Sequence, residues 1–407
     1  MKITDLRIHS VAFPDPPIRN SWGVHAPYAL RTIIEVESDE GLIGLGETYG
    51  GETIRTHLEA AGQSLIGMDI QHLPAIADLF TNRKAYVAIE TACLDITGQA
   101  TGKKVCDLLG GRMRDSVPFS AYLFFKYEND EIHGDFVSGR VMTPDAMLDE
   151  ARAFFEMGGF TSVKMKGGIL EPEEEVECLR LIANEFGDSI GLRLDPNCIW
   201  PMDKAVAVAR AMESLNTEYL EDPVYGLDQM AALKQQTSLL LGTNSCVVAF
   251  DHIAPAVQKQ AVDVVLSDHH YWGGMFDNRY LSKICHTFGL GISMHSTSHL
   301  GISMAAMIHS AATFDVVDYA CDTHYPWVVD DVIIGDKLPI NNGHMQVPEG
   351  FGLGVALDHS KLEILKDNYR KFGQQERDDI GELKRRDPDW QTRMPEWMAQ
   401  IDPAKFI

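Results

Sequence analysis

The sequence lacks an ordered cysteine pattern. Its 407 residues include seven cysteines, and no two of them form a CxxC pair. Because their number is odd and their positions are scattered, neither a disulfide framework nor a structural zinc ribbon is indicated. We expect reduced thiols, most of them buried, at Cys93, Cys106, Cys178, Cys198, Cys246, Cys285 and Cys321.

Long hydrophobic runs are also missing. No stretch approaches the roughly 18 consecutive apolar residues of a membrane helix. The first residues, MKITDLRIHSVAF, lack the basic, apolar and small-residue regions of a signal peptide. We therefore expect a cytoplasmic protein without a membrane partner. Hydrophobic residues still make up 45% of the chain, which supports a sizeable core and predicts more than one domain.

Positive charge is scarce. The chain has 35 Lys and Arg against 59 Asp and Glu, so its formal charge is -24. This excess opposes non-specific binding to nucleic acid or to an anionic membrane, and we predict neither as a partner. An acidic substrate would be repelled as well. Local cations and a metal ion would have to overcome that repulsion at the site.

Several catalytic motifs are absent. The segment GLIGLGETYGG is rich in glycine but lacks G-x-G-x-x-G, so we interpret it as a mobile loop and not as a dinucleotide site. The chain has no Walker motif and no G-x-S-x-G serine. HSTSH places His295 and His299 four residues apart without the glutamate of HExxH, which argues against zinc.

The pattern of apolar residues divides the chain into three parts. ITDLRIHSVAF and TIIEVESDEGLIGLGETYGG alternate around a turn, which predicts a hairpin or meander, and helical periodicity follows from about 52 to 110. We expect an α+β amino-terminal domain over 1–116. From 117 to 325, short strands from VPFSAYLFF to VVDYACD alternate with amphipathic stretches, which predicts a parallel α/β barrel. Residues 326–407 lose this rhythm and end in a charged tail containing tryptophan.

Polar residues follow the short strands of the predicted barrel, and successive members are 23 to 29 positions apart. Each would lie at the carboxyl end of a strand, where a (β/α)₈ barrel collects its catalytic side chains. The series predicts one metal site and two opposed bases. Its members are Lys166 in SVKMK, Asp195 in LRLDPN, Glu221 in YLEDP, Asn244 in LLLGTN, Asp268 in VVLSD and His295 in ISMHS.

Three members of this series offer only oxygen ligands. Asp195, Glu221 and Asn244 would come from three adjacent strand ends, and two negative charges with hard oxygen donors suit Mg²⁺. A single acid at a strand end can equally be a helix N-cap or a salt-bridge partner. Three in succession at the barrel period favour the metal site.

The lysine pair and one histidine are the candidate bases. Lys164 and Lys166 are two apart on a strand, so both would point into the barrel, although an exposed edge strand would also accommodate them. Two buried cations disfavour each other's protonation, so one could act as a base while the other remains a cationic clamp. His295 would face them, oriented by Asp268 from the preceding strand.

With KMK, LRLDPN, YLEDP, GTN, SDHHYW and MHSTSH in this order, the chain resembles the enolase superfamily, and most closely its glucarate dehydratase branch. The resemblance spans nearly the whole chain. It implies a modified (β/α)₇β barrel closed by an α+β capping domain and carboxyl-terminal additions. It also implies Mg²⁺ as cofactor, a Lys or His base, and assembly as a homo-oligomer.

The resemblance further implies a set of substrate contacts. Asn20 and His25 would be cap-loop contacts, Tyr122 a tyrosine at the barrel mouth, and His324 and Arg377 contacts of the distal carboxylate. The branch usually has asparagine where this chain has Thr297, so the resemblance specifies the mechanism better than the substrate. The full set is Asn20, His25, Tyr122, Lys164, Asn197, Asn244, His295, Ser296, Thr297, His324 and Arg377.

The implied reaction is β-elimination of water from an acid sugar. Lys166 or His295 would take the α-proton from substrates of opposite configuration, and D-glucarate is the expected substrate, giving a keto-deoxy-glucarate. Another aldarate or aldonate dehydratase, or an epimerase, would share the proton abstraction. A catalytically idle member that binds an acid sugar is the alternative from another class of protein.

Overall fold

The computed structural model describes residues 1–129, 139–372 and 376–390. Two long segments of regular structure dominate it, an antiparallel sheet with helices and a series of parallel strands with helices between them. The strands are β1 (Ile3–Pro14), β2 (Tyr28–Ser38), β3 (Ile43–Tyr49), β4 (Ser116–Pro118), β5 (Ala121–Leu123), β6 (Ser162–Lys166), β7 (Gly191–Asp195), β8 (Thr217–Glu221), β9 (Leu241–Thr243), β10 (Val264–Ser267), β11 (Gly291–Met294) and β12 (His344–Gln346). The helices are α1 (Glu52–Leu65), α2 (Leu73–Ala77), α3 (Arg83–Thr101), α4 (Val105–Leu108), α5 (Pro144–Gly158), α6 (Pro172–Phe186), α7 (Met202–Met212), α8 (Leu227–Lys234), α9 (Ile253–Lys259), α10 (His269–Trp272), α11 (Met275–Phe288), α12 (Gly301–Ala312), α13 (His359–Phe372) and α14 (Asp379–Arg386).

The amino-terminal part is the predicted α+β domain. Strands β1, β2 and β3 pair antiparallel in that order, and α3 packs across the sheet. The helix begins at Asn82, whose side chain accepts hydrogen bonds from two backbone amides, and ends at Gly102 with a φ of 66°. We call this part the cap domain.

The predicted hairpin or meander is confirmed by the antiparallel sheet, whereas the prediction of a mobile loop at GLIGLGETY was wrong, because this segment contains strand β3. Its glycines let the strand approach α3 closely. A Cβ on Gly44 would lie 2.1 Å from the carbonyl oxygen of Ala92, and one on Gly46 would lie 2.1 Å from that of Ala88. The missing side chains thus allow the contact between helix and sheet.

The second part is the predicted barrel. Seven parallel strands lie side by side in the order β5 to β11, with helices α5 to α9 and α11 in the connections between them. The strands are almost completely buried. On β6 and β7, the apolar side chains belong to the main hydrophobic core and lie on the face that packs against the helices; they are Val163, Met165, Leu192 and Leu194. Because all strands run in one direction, their carboxyl ends form one edge of the sheet.

The first and eighth predicted strands differ from expectation. VPFSAYLFF contains two short strands, of which β4 pairs antiparallel with β12 and only β5 joins the barrel. VVDYACD does not form a regular strand in the described structure. Its Cys321 makes an isolated parallel bridge with Phe119, and the Asp322 amide donates to the Met294 carbonyl at 2.8 Å. This segment therefore lies between the two ends of the seven-stranded sheet.

The carboxyl-terminal part returns to the cap domain. Helix α13 packs against β1, and the backbone amide of Val24 donates to the carbonyl of Asp379 at 3.0 Å. Residues 391–407 of the predicted tail lie outside the described residues. The domain boundaries at 116 and 325 stay predictions.

The cysteines agree with the expectation of reduced thiols. All seven are free, and all except the half-buried Cys246 are buried. In the described ranges, every helix is too short or too polar to cross a membrane.

Candidate active site

The predicted series of polar residues lies along the carboxyl edge of the barrel sheet. Lys166, Asp195 and Glu221 are the last residues of β6, β7 and β8, and Asn244 follows β9 directly. Lys166 and Asp195 are paired neighbours in adjacent strands. The sequence spacing therefore brings these side chains together, as the barrel period required.

The two lysines bind the two carboxylates. Lys166 Nζ lies 2.7 Å from Asp195 Oδ2, and Lys164 Nζ lies 3.3 Å from the same oxygen and 2.7 Å from Glu221. Lys164, Asp195 and Glu221 have no solvent exposure. Lys166 also donates to the hydroxyl of Tyr122 at 3.3 Å. The lysines point into the barrel, as predicted, and not to solvent.

The protonation of the lysines differs from the expectation. Burial disfavours their charged forms, but the neighbouring carboxylates outweigh burial and raise the pKa of both Lys164 and Lys166. The expectation from the sequence considered only the repulsion between the two ammonium groups and omitted the neighbouring acids. Among the acids, burial followed by the charge of Asp195 raises the pKa of Glu221.

A further acid, which the sequence reasoning missed, completes this network. Asp322 is fully buried, and its carboxylate lies 2.7 Å from Lys164 Nζ and 3.6 Å from Arg193 Nη1. Its signal in the sequence was its place at the end of VVDYACD, 27 residues after His295, which is within the spacing of the strand-end series. Three carboxylates therefore surround Lys164, and Lys166 and Arg193 supply further positive charge beside two of them.

The oxygen donors fit a hard divalent cation. Asp195 and Glu221 supply buried carboxylates, and the amide of Asn244 adds a neutral oxygen from the next strand. The neighbouring Asp222 supports this edge, because it accepts hydrogen bonds from the Thr243 hydroxyl and, at 2.9 Å, from the backbone N–H of Asn244. A cation would relieve the repulsion between the carboxylates and compete with the lysines for them.

His295 and Asp268 form the expected pair. His295 Nδ1 lies 3.0 Å from Asp268 Oδ2, and the imidazole stacks on Tyr271 with ring centroids 5.5 Å apart. Burial opposes the charge of Asp268, but hydrogen bonds from His270 and His295 hold the pKa of its carboxyl well below the usual value. The sequence reasoning missed His270. It follows Asp268 by two residues in SDHHYW, where the doubled histidine was the available signal.

Aromatic side chains of the cap domain and the barrel contact each other beside the strand ends. The rings of His25 and His324 are parallel with centroids 6.0 Å apart, and Tyr122 lies edge-on to His324 at 4.9 Å. Burial, followed by the neighbouring His25, His295 and Lys166, lowers the pKa of His324 well below its usual value. Its Nδ1 and the Oδ1 of Asn197 are buried without a hydrogen-bond partner among the described residues. Both atoms are therefore available to a polar ligand.

Arg377 lies in the carboxyl-terminal segment against the cap loop. Its guanidinium binds Asp379 through Nε at 2.6 Å and Nη2 at 2.9 Å, and its Nη1 lies 3.7 Å from Asp15. Asn20 donates to Asp379 at 3.0 Å, and His25 Nδ1 lies 2.9 Å from Asp15. The predicted distal contacts therefore lie together, but two acids that the sequence reasoning missed already bind them.

Ser296 and Thr297 follow His295 directly in the loop after β11. The Ser296 hydroxyl donates to the carbonyl of Thr297 at 3.0 Å and lies 3.4 Å from His299 Nδ1. Ser296 is fully buried. Its hydroxyl therefore stabilises the loop, and the role of both residues in substrate binding stays a prediction.

Comparison with known proteins agrees with this geometry. Residues 3–110 match the model of the mandelate racemase / muconate lactonizing enzyme amino-terminal domain, and residues 146–361 match the model "Enolase C-terminal domain-like". A probable glucarate dehydratase of Streptomyces coelicolor is 39% identical, with 98% of this chain and 99% of that protein aligned.

Two solved structures are similar over almost their full length. An enolase of Thermobispora bispora, complexed with magnesium and formate, has a TM-score of 0.92 and 41% identity, covering 97% of this chain and 99% of that one. An enolase of Pseudomonas fluorescens, with bound magnesium, potassium and tartrate, has a TM-score of 0.91 and 40% identity, covering 96% and 98%. The cap and modified barrel, the site at the strand ends and these matches together show that the chain belongs to the enolase superfamily.

Proposed function

We propose that the protein is a Mg²⁺-dependent hydro-lyase that removes water from an acid sugar, with D-glucarate as the first candidate substrate. The main support is the meeting of two kinds of proton acceptor, lysine and the His295–Asp268 pair, at the carboxyl edge that carries buried carboxylates. The 39% identical relative, a probable glucarate dehydratase, supports the reaction class and the substrate.

Asp195, Glu221 and Asn244 are the proposed metal ligands. When bound there, Mg²⁺ would supply positive charge for the substrate carboxylate, whose negative charge grows as the α-proton leaves. Lys164 would add a second positive charge at the same carboxylate. These charges address the main barrier, because a proton beside a carboxylate is only weakly acidic.

Proton transfer is assigned to the residues on the two sides of the substrate. His295, oriented by Asp268, takes the α-proton of one configuration. Lys166 takes that of the other in its neutral form, which would be favoured once Asp195, the carboxylate that raises its pKa most, served the metal instead of the ammonium. The protonated His295 then returns its proton to the β-hydroxyl, which leaves as water while the electron pair of the former C–H bond forms the C=C bond. The resulting enol tautomerises to a keto-deoxy acid.

The far end of the substrate is assigned to the cluster of Asn20, His25, His324 and Arg377, with Tyr122 and Asn197 nearer the reacting carbon. A guanidinium can hold a carboxylate through two hydrogen bonds, which favours a diacid over a monoacid. Ser296 and Thr297 complete the proposed set. Carbohydrate catabolism in the cytoplasm and assembly as a homo-oligomer stay predictions.

The test is turnover of purified, Mg²⁺-loaded protein with a panel of aldarates and aldonates, detected as 2-keto acid with semicarbazide and as α-proton exchange in D₂O. We expect D-glucarate to give a keto-deoxy acid, and His295→Asn to lower kcat about 100-fold or more. Lys166→Ala should abolish α-proton exchange from the opposite face, and chelation of Mg²⁺ should abolish both.

Three other outcomes would each lead to a different conclusion about the function. Exchange without keto acid would identify an epimerase and contradict the dehydratase assignment. Turnover of another sugar acid would keep the reaction and reject glucarate. If Mg²⁺-loaded protein bound acid sugars, seen as a thermal shift, but exchanged no α-proton, the protein would be a binding member without activity.

A further inference from the structure

A second histidine shares the carboxylate of the catalytic pair. Asp268 Oδ2 lies 3.0 Å from His295 Nδ1, whereas Asp268 Oδ1 accepts the backbone amide of His270 at 2.7 Å and lies 3.1 Å from His270 Nδ1. Asp268 and His270 are both fully buried. Each carboxylate oxygen of Asp268 therefore has its own imidazole partner.

An arginine of the cap domain determines the proton position on His270. Arg31 Nη2, on strand β2, lies 3.2 Å from His270 Nε2. The Ser303 hydroxyl accepts from the same arginine nitrogen at 2.9 Å and lies 3.3 Å from Nε2, to which it can donate. A guanidinium has only donors, so Nε2 accepts, and the ring proton lies on Nδ1, which donates to Asp268. Burial also lowers the pKa of His270, which agrees with a neutral ring. Tyr49, His269 and His299 pack around this ring with centroids 5.2, 3.9 and 5.0 Å away.

The same arginine is held by a cap-domain acid that also binds the barrel. Arg31 Nε donates to Glu47 Oε1 at 2.8 Å, and Glu47 accepts the backbone amides of Leu300 at 2.9 Å and Ser303 at 2.7 Å. These amides lie at the start of α12, directly after the loop that carries His295. Arg31 and Glu47 are fully or almost fully buried.

We propose that His270 and Arg31 are positioning residues for the base His295, so that the cap domain orients the catalytic pair of the barrel. Arg31 fixes the tautomer of His270, His270 holds Asp268, and Asp268 holds the His295 ring with Nε2 towards the substrate. The proposal rests on the proposed function. It predicts an effect on His295 and not on Lys166. Arg31 and His270 reach His295 only through Asp268, and they make no contact with Lys166 among the described hydrogen bonds.

The test compares three variants in α-proton exchange, with substrates of the two α-configurations. His270→Phe keeps a ring and removes the side-chain contacts with Asp268, Arg31 and Ser303. His270→Asn keeps a donor towards Asp268. His269→Phe is the matched control, because the ring nitrogens of His269 are buried without hydrogen-bond partners among the described residues. Chain integrity is checked by thermal unfolding of each Mg²⁺-loaded variant.

We expect His270→Phe to lower kcat on the histidine face about 10- to 100-fold, as loss of an orienting partner does, with KM changed less than about 2-fold. Exchange from the lysine face should stay within about 2-fold of wild type. His270→Asn should recover much of the lost rate, and His269→Phe should behave like wild type. Equal slowing of both faces, or no slowing, would overturn the proposal.

Failure of the proposed function would be visible separately, as absence of α-proton exchange in the wild type. Crystal structures of the wild type and the variants then decide the positioning claim. If Asp268 and His295 keep their orientation in His270→Phe, the claim is wrong. If the Asp268 carboxylate turns and its hydrogen bond with His295 Nδ1 is broken, the claim holds. Should His270→Phe not fold, His270→Leu takes its place, because it also lacks a donor towards Asp268, and the same two outcomes decide the claim.

Discussion

Single residues of this site act mainly through charge. Lys164, without any solvent exposure, lies within 3.3 Å of Asp195 and 2.7 Å of both Glu221 and Asp322. Deleting one partner of a buried ion pair leaves an unpaired charge, which costs more than the pair itself contributes. Substitutions here should therefore alter folding and catalysis together, so isosteric changes are the informative ones.

A change at Arg377 tests the assignment of the distal site. Arg377→Lys keeps the positive charge, but an ammonium cannot bind Asp379 through two nitrogens and still reach a substrate carboxylate. We expect KM for a diacid to rise about 10-fold, and KM for an aldonate to change less than about 2-fold. Steady-state kinetics measure both constants.

Arg370→Lys is the control, since Arg370 is exposed on α13 and binds Asp367 on the same helix. Both KM values should stay at the wild-type level in that variant. An Arg377→Lys protein with the same KM change for both substrates would contradict the assignment of Arg377 to a distal carboxylate.

The residues of the strand-end series could be predicted, and some of their partners could not. Asp195, Glu221 and Asn244 repeat at the barrel period, which brings them to one edge of a parallel sheet. Asp322 follows His295 by 27 residues, so the same period could have indicated it. Asp379 comes from the segment after the barrel, and its contact with Asn20 depends on how that segment packs on the cap domain, for which sequence spacing gives no signal.

At the scale of elements, the loops after the strands hold the chemistry in place. The loop after β6 follows Lys166 directly, and the buried Glu175 of α6 accepts the backbone amides of Gly168, Ile169 and Leu170 at 2.9, 2.7 and 2.9 Å. One side chain thus pairs three amides that the strand leaves without partners. The helix thereby fixes the loop beside the lysine pair.

Glu175→Gln should weaken this loop. The amide side chain has one acceptor oxygen in place of two, so at least one backbone amide loses its acceptor, and we expect the free energy of unfolding to fall by about 1–3 kcal/mol. Urea unfolding measures it. Glu174→Gln, an exposed neighbour on the same helix, should change little. Equal denaturation midpoints for the two variants would contradict this role.

The local pattern of apolar and polar residues predicted the type of most helices and strands. It failed where contacts with distant segments determine the secondary structure. The strands after Ser162 were found where apolar runs ended in polar residues, because each run had to be buried. Strand β3 was mistaken for a loop, since Gly44 and Gly46 acquire their function only when α3 lies on them. The eighth predicted strand has a strand-like composition, but it meets Phe119 through a single bridge.

Over the whole molecule, buried acids join the cap domain to the barrel. Besides Glu47, Glu90 of α3 accepts the backbone amide of Met275 at 2.6 Å, at the start of barrel helix α11. Gly274 allows this approach, because a Cβ there would lie 2.2 Å from Glu90 Oε2. Burial raises the pKa of Glu90 to about 8, against an ordinary value of 4.5. The connection between the two parts therefore depends on pH.

The sign of this dependence follows from the pKa of Glu90. Between pH 4.5 and about 8 the folded state keeps a proton that the unfolded chain has released, so the stability from this group is full below pH 4.5 and is lost as the pH rises to about 8. The Tm of wild type should fall more between about pH 5 and 8 than that of Glu90→Gln. Differential scanning calorimetry measures both.

Glu40→Gln, at an exposed turn, serves as the control and should follow the wild-type pH profile. Parallel profiles for wild type and Glu90→Gln would show that ionisation of Glu90 does not affect the docking of α3 on α11. The existence of a cap domain and a barrel was predictable from the change of pattern near residue 117. Their connection was not, since Glu47, Glu90 and Arg31 lie in ordinary cap elements.

The Arg31–Glu47 pair has a consequence for chimaeric proteins. In a two-domain enzyme of this kind, the cap domain could be exchanged for that of a relative in order to change the substrate specificity of the barrel. Here the cap carries a side chain that reaches His270, and its partner acid reaches the backbone amides of Leu300 and Ser303. A transplanted cap would have to bring the same arginine and glutamate in the same register, or the graft would alter the reaction rate along with the choice of substrate.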